Sequence, residues 1–133
     1  MNNKILIGVF CLIVIVSVIV ASLMILQSEQ TQDYLKEREI KNTITFMRAN
    51  NIQIWGMNSC SWCRKQLEEF GDHQEELKEF EIYKNCEDIK NLERCQELFS
   101  QSIGTPFFTM NGKYLTSGYR TLNEVREVYK YRR

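Results

Sequence analysis

The chain is poor in proline, in histidine and in net charge, and each shortage narrows what it can be. Its 133 residues include one proline, Pro106, one histidine, His73, and 17 basic residues against 17 acidic ones. A balanced surface charge gives no electrostatic case for binding a phosphate backbone, so nucleic acid is not an expected partner. Internal repeats and low-complexity tracts are also lacking. The length suits one domain of ordinary size with an appendage.

Charge is missing altogether from residues 5–26, a run that is apolar apart from Gly8, Ser17 and Ser22. As a helix, this run spans about 33 Å at roughly 1.5 Å per residue, close to the ~30 Å hydrocarbon core of a bilayer. It is longer than the apolar part of a signal peptide and ends without a small-residue cleavage site. We therefore expect residues 1–26 to form a membrane anchor.

The expected topology follows from the short tail before this run. Very short N-terminal tails normally stay in the cytoplasm, and this one carries Lys4 and the amino terminus. We expect a single-pass membrane protein with a cytoplasmic N-terminus. Its remaining residues would then lie in an oxidising compartment. This compartment would be either the periplasm or extracellular space, or the lumen of the endoplasmic reticulum. Four further cysteines suit such a compartment.

Beyond the anchor, the sequence predicts a polar linker at residues 27–32 and an α/β domain over residues 33–133. Helical and alternating apolar patterns predict the order helix, strand, helix, strand, helix, hairpin, helix. The first of these helices should bury a stripe of three residues, Ile40, Ile44 and Met47, and the second strand should cover residues 80–83. The third helix should begin after Asp88 and face inward with Ile89, Leu92, Cys95 and Phe99. A hairpin turn is expected at Asn111-Gly112 and a helix cap at Thr121.

Cys60-Ser61-Trp62-Cys63 forms a C-x-x-C motif that follows a predicted strand and opens a predicted helix. The N-terminus of a helix offers unpaired amide hydrogens and a partial positive charge, which stabilise a thiolate on the first cysteine. Cys60 is therefore the candidate nucleophile. Cys63, one turn further into the helix, would resolve a mixed disulfide.

The other cysteines leave alternatives open. Cys11 lies in the apolar run and is interpreted as a small hydrophobic residue. The remaining four, Cys60, Cys63, Cys86 and Cys95, suggest a zinc site as an alternative. Structural zinc sites, however, usually repeat a short spacing in both halves, and the second pair here is nine residues apart. A metal is therefore not expected.

The segment Gly104-Thr105-Pro106 precedes a predicted strand. Together with the C-x-x-C motif, it resembles the thioredoxin superfamily, in which a cis-proline before a core strand packs beside the two cysteines. The resemblance implies a thioredoxin-like fold, with a central mixed sheet flanked by helices. It also implies a cis peptide bond at Pro106 and pairing of the Thr105 backbone with a substrate strand; a trans proline at a strand start is the alternative. Trp62 would contact substrates or pack over the disulfide.

Residues 52–125 are most similar to the thioredoxin-like domain linked to vitamin K epoxide reductase homologues. The motifs that carry this similarity occur in the same order: the C-x-x-C, then Gln66, Phe70-Gly71, Cys86, Cys95, Gly104-Thr105-Pro106, Asn111-Gly112 and Ser117-Gly118-Tyr119-Arg120-Thr121-Leu122-Asn123-Glu124. The resemblance implies a membrane redox partner resembling vitamin K epoxide reductase.

The chain departs from this pattern at three places. Ser59 stands where the family has tryptophan, and Ser61-Trp62 stands where the family has Pro-His. Ile54 occupies the position of a buried aspartate in thioredoxin, so the resemblance identifies no proton acceptor for Cys63.

Cys86 and Cys95 are interpreted as a structural disulfide that ties a strand to the following helix, with a second redox relay pair as the alternative. Closing a short loop in this way typically contributes about 2–4 kcal/mol.

Taken together, these features predict a membrane-anchored thiol–disulfide oxidoreductase that exchanges disulfides with protein thiols and needs no organic cofactor. Cys60 and Cys63 would be catalytic, and Trp62, Thr105 and Pro106 would contact the substrate. The alternative is a thioredoxin-fold binding or chaperone module without catalysis. Oxidases, reductases and isomerases use the same two cysteines, and the reduction potential decides among them.

Overall fold

A computed structural model describes residues 2–131 of the chain, which divides into two units, Met1–Glu37 and Arg38–Arg133. The described part of the first unit belongs to one helix, α1 (Asn3–Ala49), which continues into the second unit. The apolar residues of its N-terminal part are exposed. By length and composition this helix can cross a membrane, and the same features fit a signal sequence.

The predicted linker at residues 27–32 is helical in the structure. This segment contains neither glycine nor proline, and glutamine and glutamate are good helix formers. The hydroxyl groups of Ser28 and Thr31 donate hydrogen bonds to the carbonyls of Ile25 and Gln27, one turn earlier. The change to polar residues therefore marks the end of the apolar run and not the end of the helix. The domain boundary predicted there stays a prediction.

The second unit is built on a sheet of four strands. In chain order its elements are β1 (Ile52–Gly56), α2 (Ser61–Glu68), a 3₁₀ turn (Gly71–His73), α3 (Gln74–Glu79), β2 (Tyr83–Asn85), α4 (Ile89–Phe99), β3 (Phe107–Met110), β4 (Lys113–Ser117), α5 (Leu122–Val125) and a 3₁₀ turn (Val128–Tyr131). The strand order is β2-β1-β3-β4, in which β1 and β2 are parallel and the other neighbours antiparallel. The expected α/β class with a central mixed sheet flanked by helices is confirmed.

Side chains alternate between the two faces of β1, and each face carries its own apolar cluster. On one face, Ile52 and Ile54 belong to the cluster that contains the predicted stripe of α1. That stripe, Ile40, Ile44 and Met47, is buried as expected. On the other face, Trp55 stacks on Phe107 and packs with Leu98, Cys86 and Cys95.

The turn at Asn111-Gly112 and the helix cap at Thr121 were predicted correctly, because each depends on residues that are neighbours in the chain. Asn111 and Gly112 join β3 to β4 with φ angles of +52° and +75°, which both residues tolerate. Thr121 caps α5 through a capping box with Glu124. The hydrogen bonds from Thr121 lower the pKa of the Glu124 carboxyl, so this cap weakens as the pH falls through that value.

The second strand begins later than predicted. Residues 80–82 lie between α3 and β2, and Glu81 adopts a φ of +56°, which breaks an extended strand. Ile82 is buried as expected, but it donates its backbone N–H to Leu77 and accepts from Ile54. The alternation of Phe80 and Ile82 with polar residues therefore reflects a turn that buries its apolar residues.

The inward face of α4 was predicted correctly at Cys95 and wrongly at Ile89, Leu92 and Phe99. Ile89 is 92 % exposed, and Leu92 and Phe99 are exposed as well, whereas Asn91, Cys95 and Leu98 are buried. Two long-range constraints set the rotation of the helix. Cys95 lies within bonding distance of Cys86, and the Asn91 side chain donates a hydrogen bond to the Asn85 carbonyl at 3.0 Å. The apolar pattern of the sequence contains no information on either of these two contacts.

Leu98→Ala tests which face of α4 is buried. Leu98 is fully buried beside Trp55 and Phe107, so its truncation should lower the free energy of unfolding by roughly 2–5 kcal/mol. Ile89→Ala is the matched control and should cost less than about 0.5 kcal/mol, because that side chain is exposed. Urea unfolding of the full chain in detergent, followed by tryptophan fluorescence, measures both. A larger loss for Ile89→Ala would contradict the observed face.

Candidate functional site

The cysteine pair lies at the start of α2, shortly after the end of β1. Cys60 is the N-cap residue of α2, and Cys63 lies in its first turn, with their Cα atoms 5.2 Å apart and their sulfur atoms at disulfide distance. The backbone N–H of Cys63 points at the Cys60 sulfur at 3.1 Å. Cys60 is partly exposed, whereas Cys63 is 0 % exposed. The first sulfur therefore can meet a partner while the second is shielded from it.

The turn before β3 reaches the same sulfur. The peptide bond between Thr105 and Pro106 is cis, as the resemblance implies, and Pro106 is buried. The hydroxyl of Thr105 donates to the Cys60 sulfur at 3.3 Å, and the carbonyl oxygen of Thr105 lies 3.6 Å from it. The structure thus brings together four of the predicted site residues, although the motifs are far apart in sequence.

Trp62 stands beside the pair as an exposed aromatic ring, with 55 % of its surface accessible. The ammonium group of Lys65 lies 4.9 Å from the centre of the Trp62 ring and 4.7 Å from that of Tyr119. The Tyr119 hydroxyl donates a hydrogen bond to the Glu69 carboxylate, which raises the pKa of Tyr119 to about 12. The Trp62 ring therefore packs beside the Tyr119 ring, with their centroids 6.1 Å apart, and the Lys65 ammonium group contacts both rings. The sequence reasoning missed this role of Lys65 and Tyr119.

Two further side chains fix the loops on either side of the pair. Gln66 is fully buried on α2; its amide donates to the Arg120 carbonyl at 2.8 Å and accepts from the Arg120 N–H at 2.7 Å. The Glu87 carboxylate accepts from the Asn58 N–H and the Ser59 hydroxyl, both at 3.1 Å. The turn before Cys60 is thereby attached to the start of α4.

Gly56, the last residue of β1, lies close to the Cys63 side chain of α2. A Cβ atom at Gly56 would lie 2.7 Å from the Tyr83 hydroxyl, nearer than real Cβ contacts come, and 3.0 Å from the Cys63 sulfur, which is a tight contact. A larger residue at this position would therefore have to displace the Tyr83 hydroxyl and the Cys63 side chain. Burial, with Glu87 and Asp88 nearby, raises the pKa of Tyr83 to about 12.

The second cysteine pair lies on the opposite face of the sheet. Cys86 and Cys95 have their Cα atoms 5.5 Å apart and pack with Trp55, while Cys63 meets the face of β1 that carries Ile54. The four cysteines therefore form two pairs and not one four-cysteine shell. Over residues 2–131, no group of three histidine, cysteine, aspartate or glutamate side chains is placed to hold a metal ion.

A scan against protein-family models and searches of curated proteins and of solved structures return no match for this chain.

Replacing Cys86 and Cys95 together by alanine tests whether this pair is structural. The bridge closes a loop of about ten residues, so its loss should lower the free energy of unfolding by about 2–3 kcal/mol. Reversible oxidation of Cys60 and Cys63 should persist, because that pair lies on the other face of the sheet. Denaturant unfolding and mass spectrometry of alkylated peptides measure the two effects, with Cys11→Ala as the matched control.

If Cys86 and Cys95 instead form a redox relay pair, the same double variant should behave differently. The Cys60–Cys63 disulfide would then form normally with a small oxidant but would no longer be regenerated by the physiological partner in membranes. That result would contradict the structural interpretation of Cys86 and Cys95.

Proposed function

We propose that this chain is a membrane-anchored thiol–disulfide oxidoreductase with a thioredoxin-like fold. The observation that carries the proposal is the asymmetry of the pair at the start of α2. Cys60 is partly exposed and caps the helix with its sulfur, while Cys63 is buried one turn away at disulfide distance. A nucleophile and a resolving cysteine require this arrangement.

In the reducing direction, the Cys60 thiolate attacks one sulfur of a substrate disulfide. The substrate S–S bond breaks, a mixed disulfide forms and the second substrate sulfur leaves as a thiolate. Cys63 then loses its proton and attacks the Cys60 sulfur, which closes the Cys60–Cys63 disulfide and releases the first substrate sulfur. The substrate gains two electrons and, from solvent, two protons. In the oxidising direction a substrate dithiol runs the same steps backwards.

The helix N-terminus supplies the electrostatic part of this chemistry. A thiolate at Cys60 accepts the Cys63 N–H and lies at the positive end of the α2 dipole, which favours the charged form. The hydroxyl of Thr105 donates to the same sulfur and adds to this effect. One backbone N–H group and one side-chain hydroxyl thus donate to the Cys60 sulfur, the proposed nucleophile.

Substrate contact is proposed for Trp62, Thr105 and Pro106. The Thr105 carbonyl lies 3.6 Å from the Cys60 sulfur, so a chain segment that pairs with the Thr105 backbone would bring its own sulfur to Cys60. Trp62 offers an exposed apolar surface next to the pair. The proposed partners are protein thiols and disulfides, together with a membrane redox partner resembling vitamin K epoxide reductase.

The thioredoxin-like assignment is supported by the position of the site in the sheet. The C-x-x-C follows β1, which is flanked by the parallel strand β2 and the antiparallel strand β3, and the cis-proline directly precedes β3. The anchor assignment is supported by the apolar, exposed N-terminal part of α1. We propose that residues 1–26 span the membrane, with Lys4 on the cytoplasmic side and the sheet-bearing unit in an oxidising compartment.

Trapping of mixed disulfides tests the proposal. Cys63→Ala should accumulate a covalent complex with a disulfide-containing substrate protein through Cys60, because the resolving step is removed. Cys60→Ala should form at least tenfold less complex, since Cys63 is buried. Non-reducing electrophoresis of the full chain in detergent, with Cys11→Ala as the matched control, provides the measurement.

Two outcomes would contradict the proposed catalytic activity. Equal trapping by the Cys60→Ala and Cys63→Ala variants would show that the C-x-x-C does not direct exchange. Substrate binding by the Cys60→Ala variant at wild-type affinity, with no exchange in the wild type, would favour the binding or chaperone module.

A further inference from the structure

The buried sulfur of Cys63 poses a chemical problem for the proposed function. Cys63 must become a thiolate to resolve a mixed disulfide, yet a fully buried thiol resists ionisation because the charged form loses its hydration. Ile54, the neighbouring residue of β1 on that face, is aliphatic and offers no hydrogen bond. A thiolate at Cys63 therefore needs a donor from another element.

The hydroxyl of Tyr83 is placed to be that donor. Tyr83 lies on β2 opposite Ile54, and its ring extends along the face of β1 toward Gly56. The Tyr83 oxygen and the Cys63 sulfur both lie within 3.0 Å of one point, the position that a Gly56 Cβ would take, so they are no more than about 6 Å apart. Because Gly56 has no side chain, nothing from β1 stands between them.

We propose that the Tyr83 hydroxyl donates a hydrogen bond to the Cys63 thiolate and positions it for attack on the mixed disulfide at Cys60. Tyr83 is thus a positioning residue for the proposed exchange reaction, and the inference rests on that function. The disulfide form needs no such bond, since a bonded sulfur carries no charge. The interaction therefore appears when the pair is reduced or when Cys60 is joined to substrate.

The surroundings of Tyr83 make its hydroxyl a donor and not a base. Burial, together with the carboxylates of Glu87 and Asp88 from the β2–α4 turn, raises the pKa of Tyr83 to about 12, so the hydroxyl keeps its proton at physiological pH. The nearby cations of α2 are engaged elsewhere. Lys65 lies over Trp62 and Tyr119, and the Arg64 guanidinium reaches the Asn58 carbonyl.

Solvent completes the proton balance of the resolving step. Tyr83 lines a polar surface cavity together with Asn58, Asn85 and Asp88, and the other charged residues of this cavity are Lys78, Glu81, Lys84 and Lys90. Solvent accepts the proton that Cys63 releases, and the Cys63 sulfur attacks Cys60. The bond between Cys60 and the substrate sulfur breaks, and the departing substrate thiolate takes a proton from solvent, so charge and electrons balance.

The first test measures the pKa of the Cys63 thiol directly. The full chain in detergent, with Cys60→Ser and Cys11→Ala to leave Cys63 as the free thiol, is labelled with ¹³Cβ-cysteine and titrated by NMR. Because a hydrogen bond to a charged group is lost, Tyr83→Phe should raise the Cys63 pKa by about one to two units. Tyr114→Phe, at a partly buried tyrosine of the opposite face, is the matched control and should leave it unchanged.

The second test measures the resolving step. A preformed mixed disulfide between Cys60 and a peptide thiol is mixed with buffer, and release of the peptide is followed by rapid acid quench. Tyr83→Phe should slow release roughly three- to tenfold at pH 7, because the smaller thiolate fraction is partly offset by the greater nucleophilicity of a more basic thiolate. The deficit should shrink as the pH rises, which a purely structural defect would not do.

The outcomes separate this inference from the proposed function. An unchanged Cys63 pKa in Tyr83→Phe, with exchange intact, would overturn the hydrogen bond alone. A raised Cys63 pKa in Tyr83→Phe, without any exchange in the wild type, would overturn the function and leave the hydrogen bond standing.

A second variant guards against misfolding of Tyr83→Phe. Replacement of Tyr83 by 3-fluorotyrosine keeps its shape and makes the hydroxyl a stronger donor, so the Cys63 pKa should fall. A Cys63 pKa that stays the same or rises in this variant would contradict the proposed hydrogen bond.

Discussion

The close approach of backbone and sulfur at Gly56 is the constraint on which the rest of the site depends. The Cys63 sulfur, the Tyr83 hydroxyl and the backbone N–H of Cys86, which bonds to the Gly56 carbonyl at 2.8 Å, all meet this one residue. Helix α2, strand β2 and the second cysteine pair are therefore positioned against a single point of β1. A side chain there would crowd the Cys63 sulfur and the Tyr83 hydroxyl, the two groups on which the proposed resolving step depends.

The capping of α2 links the stability of this helix to the chemistry proposed for Cys60. N-cap positions usually carry serine, threonine, asparagine or aspartate, whose oxygen accepts an amide hydrogen of the first turn. Here the sulfur of Cys60 performs that task. In the proposed exchange reaction the same contact would favour the Cys60 thiolate, so one interaction would serve both folding and reactivity. Glu87 and Gln66 hold the flanking loops and keep the cap in place.

The parts of the structure that could be predicted from sequence are those decided by neighbouring residues. The C-x-x-C at a strand-to-helix junction, the Asn111-Gly112 turn and the Thr121 cap each carry their geometry in two to four consecutive residues. The apolar pattern of α4 was misread because Cys95 and Asn91 fix the rotation of the helix through partners outside it. The role proposed for Tyr83 depends on the packing of β2 beside β1, which no spacing along the chain reveals.

The reduction potential of the Cys60–Cys63 pair tests the central claim most directly. The full chain in detergent is equilibrated in graded redox buffers, its free thiols are trapped by alkylation, and the peptide that carries both cysteines is quantified by mass spectrometry. The account predicts a reversible two-electron couple between about −270 mV, as in reductases, and about −120 mV, as in oxidases. Absence of a reversible Cys60–Cys63 disulfide at every poise would contradict it.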